Sequence, residues 1–172
     1  MLKINYIIAI VIGLAACVTD LRSRRIPNVL TFGGALAAAI FHTVNSGGAG
    51  LLSSLAGWGL GVAFFFLPFA LGGMGGGDVK LVGALGAWLG PALTVWVALY
   101  TGIAGGILAL VVALARGYLK HALANIRLLL THWSVAGIGR VDEISLAGSA
   151  GPRLAYAIPI FAGTLVTLWL HY

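Results

Sequence analysis

The stretch LGGMGGGDVKLVGALGAWLGP, residues 71–91, sets a carboxylate between a glycine-rich segment and a short apolar run. Five glycines surround Met74, Asp78 follows, and the apolar run 79–89 ends at Gly90-Pro91. Glycine and proline punctuate helices. A helix over 79–89 spans about 16 Å, against a membrane hydrocarbon core of about 30 Å. Such a helix either tilts in a thin region or starts well below the surface. The second arrangement sinks Asp78 into the membrane or into a cavity within it. Carboxylates at such depth are expensive and are functional candidates by default.

Working outward, acids are scarce: only Asp20, Asp78, Asp142 and Glu143 occur in 172 residues. The chain is 60% hydrophobic and 8% charged, where a soluble domain carries about 25% charged residues. This composition points to an integral membrane protein forming one domain over 1–172, with the lipid bilayer as its first partner. The net charge of +6 reports orientation in such a protein and implies no nucleic-acid partner. The run 4–19 lacks a basic n-region beyond Lys3 and a small-x-small cleavage site, so it reads as a retained first helix. The single Cys17 lies inside that run, cannot form an internal disulfide, and reads as packing.

Six apolar runs stand out: 4–19, 29–44, 51–71, 79–89, 92–115 and 154–170. Helices are expected, because a lone span must satisfy its own backbone hydrogen bonds. The expected fold is all-α, with six transmembrane helices. If the connection bearing Arg22, Arg24 and Arg25 is cytoplasmic, six alternating spans place nine of the ten basic residues on that side, with only Lys3 outside. The outer turns, 45–50 and 90–91, carry no charge. This positive-inside pattern puts both termini outside and all four acids on the cytoplasmic side. Within 117–133, Leu119, Leu123, Ile126 and Leu130 form one helical stripe, as expected of an amphipathic helix on the cytoplasmic face. The segment 134–151, holding Asp142-Glu143, reads as a mobile cytoplasmic loop. These acids either recognise a basic substrate segment or are simply solvated. Pro159 is expected to kink the last span. The many glycines read mainly as tight helix packing.

Asp20 and Asp78 each sit at the cytoplasmic end of an apolar run. Asp20 begins Asp20-x5-Ile26-Pro27-Asn28, and Asp78 completes Gly75-x-Gly77-Asp78-x-Lys80. Each has a blander reading: Asp78 as a helix N-cap, Asp20 as a charge balance for the neighbouring arginines. Together they are the minimal equipment for acid–base hydrolysis of a peptide bond. Two carboxylates sharing a site do not easily both ionise, so the pair holds one proton. The ionised partner activates water while the protonated one donates to the scissile carbonyl oxygen, and the pair titrates as a unit. Glycines before Asp78 leave room for an extended peptide. Lys80 reads either as a site residue or as an interfacial anchor whose amine reaches water. Asn28 after Pro27 also suits the first turn of the second helix. His42, His121, His132 and His171 do not cluster with carboxylates at metal-ligand spacing, so no metal is expected.

These two motifs, in this order and on these spans, resemble the signatures of the type IV prepilin peptidases, membrane-embedded aspartic proteases of the Gly-x-Gly-Asp class. Residues 153–159 are similar to the start of the last helix in short members that serve tight-adherence (Flp-type) pili. The resemblance implies that Asp20 and Asp78 are catalytic. It implies that Gly75, Gly77 and Lys80 belong to the site, and that the substrate is a prepilin helix carrying a basic leader. Cleavage is implied at the cytoplasmic face of the inner (plasma) membrane, with water and no cofactor. Long members add paired Cys-x-x-Cys motifs and N-methylate their product. One cysteine cannot supply four thiolates for a structural zinc, so peptidase activity is implied and methylation is not. The rival readings are a preflagellin peptidase with the same chemistry, and a small transporter or channel subunit using Asp20 and Asp78 as an ion site.

Overall fold

The computed structural model describes residues 3–117, 119–137, 139 and 155–171. It is all-α: α1 (Ile4–Ser23), a π-helical turn (Val29–Gly33), α2 (Gly34–Ala70), α3 (Gly76–Ala115), α4 (Leu119–Ala136) and α5 (Ala157–Leu170). Among the described residues, three helical stretches are long and apolar enough to cross a membrane: Ile4–Ser23, Val29–Ala70 and Gly76–Ala115. The shorter α5 is also apolar. Large apolar side chains including Val11, Leu36, Leu52, Ile107 and Trp169 face outward, a surface that suits lipid and not water.

The second and third stretches hold 42 and 40 residues, twice the length needed to span a hydrocarbon core of about 30 Å. Each is broken at one glycine. Gly47 has φ 59° and ψ −144°, and Gly90 has φ 79° and ψ 172°, in or near a backbone region essentially confined to glycine. A Cβ on Gly50 would collide with the His42 carbonyl, and one on Gly86 would lie 2.9 Å from Thr94 Oγ1. Residues eight apart are separated by about 12 Å along a straight helix. The chain therefore doubles back at both glycines, inside the two segments expected to turn. The Trp88 carbonyl, just before the Gly90 break, accepts the Asn5 side-chain amide at 3.2 Å and faces His42 Nε2 at 3.1 Å.

The first half of α3 is the centre of the molecule. Every residue of 81–90 is buried, and α2, α5 and α1 all pack on α3. This explains an apolar run with no polar face. Small residues let the backbones meet. A Cβ on Gly57 would overlap the Gly86 carbonyl, and a Cβ on Gly86 would overlap that of Gly57. The helix also starts at Gly76, ahead of the apolar run 79–89.

Two expectations change. Pro159 does not kink a span: α5 begins at Ala157, so Pro159 lies in the first turn, where an N–H has no intrahelical partner anyway. The helix over 117–133 forms and runs on to Ala136, with Leu123, Ile126 and Leu130 exposed. Arg140, Asp142, Glu143 and Arg153 lie outside the described residues, as does most of 134–151.

Candidate active site

Asp20 lies near the end of α1. Its carbonyl accepts the Arg24 N–H at 2.9 Å, and Arg24, with φ 54°, ends the helix in the left-handed conformation. After that turn, Pro27 opens the next helix: its carbonyl accepts the N–H groups of Leu30 and Thr31 at 3.0 and 3.3 Å. The π-helical turn that follows is a feature frequent at functional sites. Asp20 is buried, 8% exposed, and its Oδ2 accepts the Ala157 N–H at 3.4 Å. Cys17 Sγ meets the Ala157 carbonyl at 3.2 Å. One face of α1 thus holds both backbone groups of the first residue of α5.

Asp78 is half-buried in the first turn of α3. The N-cap is Gly75, not Asp78, and Asp78 Oδ2 reaches back to accept the Gly75 N–H at 3.2 Å. The helix N-terminus favours negative charge there.

A cavity of about 430 Å³ brings these groups together. All seven residues singled out in the sequence line it: Asp20, Pro27, Asn28, Gly75, Gly77, Asp78 and Lys80. Arg24, Arg25, Ile26 and Gly76 complete the wall. Lys80 Nζ donates to Asn28 Oδ1 at 3.2 Å and lies 5.1 Å from the Phe32 ring centroid. It ties the second motif to the first. Two carboxylates in one cavity can share a proton, activate water and protonate a carbonyl oxygen.

The glycines divide by role. A Cβ on Gly75 would lie 3.1 Å from Asp78 Oδ2, and one on Gly77 would make an ordinary 3.5 Å contact with Ile26. Gly77 is helical; the positive φ of this segment, 78°, belongs to Gly72. No positive φ therefore requires glycine at position 77. The segment is also anchored: the Gly73 N–H donates to the Pro68 carbonyl at 2.8 Å, and Met74 is 5% exposed within the core. Sequence reasoning missed the Ala157 N–H, a backbone contribution that no side-chain pattern announces. Among the described residues, no three His, Cys, Asp or Glu side chains come together as a metal site.

The pattern of the type IV leader peptidase family matches residues 7–110, which contain both aspartates and every other residue named from the two motifs. The chain belongs to the type IV leader peptidase family. No curated protein and no solved structure matches it. A member of the type IV leader peptidase family is a protease, and the outward-facing apolar helices make this one a membrane protein. The matched stretch ends within α3, so α4, α5 and the Ala157 contact to Asp20 lie beyond it.

Proposed function

We propose that this leader peptidase is an aspartic endopeptidase that removes the basic leader of Flp-type prepilins at the cytoplasmic face of the inner membrane. Asp20 and Asp78 are its catalytic pair. Doubling back at Gly47 and Gly90 supports six membrane crossings, with α4 lying on the cytoplasmic face as an amphipathic helix. The observation that carries the reading is the shared cavity, in which each carboxylate accepts a backbone N–H at a helix N-terminus.

With one proton between them, the ionised carboxylate takes a proton from water as its oxygen attacks the scissile carbonyl carbon. The protonated carboxylate donates to the carbonyl oxygen. Collapse of the tetrahedral intermediate expels the amine, which leaves protonated, and the pair returns to its single-proton state. The test is reconstitution of the wild-type protein with a candidate prepilin in phospholipid vesicles, followed by sequencing of any new N-terminus. A cut between basic leader and apolar segment supports the reading. An intact prepilin beside a proton or cation flux would favour a transporter instead.

A further inference from the structure

A second hollow, of about 450 Å³, lies between the end of α2 and the second half of α3. Phe64, Phe65, Pro68, Leu99 and Gly102 line it, and Tyr156 closes one side. No charged residue faces it, whereas the aspartate cavity carries Arg24, Arg25 and Lys80 beside its two acids. Two connections run from the groove toward the aspartates. The Pro68 carbonyl holds the Gly73 N–H, in the short segment that leads into Asp78. Tyr156 packs its hydroxyl against Gly105, 2.5 Å from where a Cβ would sit, and the next residue, Ala157, donates its N–H to Asp20 Oδ2. Through Pro68 and Tyr156, an apolar groove is thus tied to the elements that carry a polar chamber. That division matches a substrate whose polar leader passes into an apolar segment at the scissile bond.

We propose that this groove seats the apolar segment following the scissile bond, with Tyr156 as the positioning residue that sets where the junction stops beside Asp78. The proposal rests on the prepilin-peptidase reading above. A lipid chain or a second copy of this protein would occupy the groove without needing its link to the aspartate cavity.

The geometry supplies a clean perturbation. A Cβ on Gly102 meets nothing within 4 Å, so Gly102→Leu fills the groove without disturbing the backbone. A Cβ on Gly59 also meets open space, and Gly59 lies outside the lining, so Gly59→Leu is the matched control. In vesicles containing prepilin, Gly102→Leu should raise KM about tenfold with kcat largely kept, and Gly59→Leu should match wild type. Tyr156→Ala should yield several product N-termini where wild type yields one, and Tyr156→Phe should restore the single cut. A photo-reactive side chain at Leu99 in the Asp78→Asn variant should capture the prepilin's apolar segment, and the same probe at exposed Leu36 should not. Capture of lipid or of a second copy alone, wild-type KM in Gly102→Leu, or a single N-terminus from Tyr156→Ala would overturn the proposal. An intact prepilin with the wild-type enzyme would overturn the underlying reading.

Discussion

Asp78 Oδ2 accepts the Gly75 N–H at 3.2 Å, and a Cβ on Gly75 would stand 3.1 Å from that same oxygen. Gly75→Ala should therefore displace the carboxylate and slow prepilin cleavage by about tenfold or more, since small misplacements of reacting groups are costly. Gly77→Ala adds only an ordinary contact with Ile26 and should stay within about twofold of wild type, a methyl in ordinary contact making no misplacement of that kind. Initial cleavage rates of folded protein decide between the two positions. Lys80 and Asn28 share one hydrogen bond across 52 residues of sequence. Lys80→Met and Asn28→Ala should each slow cleavage, and the double variant should be little worse than the worse single one, as partners in one contact are not additive. The aspartates, the glycines and Lys80 were legible because two motifs name them. The Asn28–Lys80 bond, the Ala157 N–H and Tyr156 were not, because long-range pairing and backbone donors leave no local pattern.

At the level of the helix, glycine decides where chains turn and where they touch. Gly90 occupies a backbone region essentially closed to other residues, at a cost of order 1–3 kcal/mol when a side chain is forced into it. Gly57 and Gly86 each leave room only for the other's carbonyl. Gly57→Leu should overpack the α2–α3 contact and destabilise the protein by about 1–3 kcal/mol or more, whereas Gly59→Leu should be near neutral. Thermal unfolding in detergent separates them; equal transition temperatures would contradict the packing account. The breaks at 45–50 and 90–91 were readable from composition, because Gly, Asn, Ser and Pro interrupt apolar runs. The π-helical turn at Val29–Gly33 was not, since it follows from how Pro27 and Asn28 enter the helix. Pro159 was misplaced because the apolar run 154–170 starts before the helix does.

Across the whole molecule, apolar segments surround the buried first half of α3. The proposed topology puts Asn45 and Ser46 outside and Ser23 inside. Cys17 is buried, so single cysteines introduced at Ser46 and Ser23 report cleanly. Ser46→Cys should react with an impermeant thiol reagent in intact cells, and Ser23→Cys only after permeabilisation; the reverse pattern would overturn the orientation. The all-α architecture was legible from hydropathy alone, while the way α3 is enclosed required the structure, because a buried helix shows no amphipathic period. The central claim is that Asp20 and Asp78 act as one catalytic unit. Its most direct test is prepilin cleavage by membrane-inserted Asp20→Asn and Asp78→Asn, which keep size and shape while removing the charge. Each should lose activity by about a thousandfold or more, and the double variant should be no worse than either, as for residues that act together. Cleavage at the wild-type rate by either correctly inserted single variant would contradict the account.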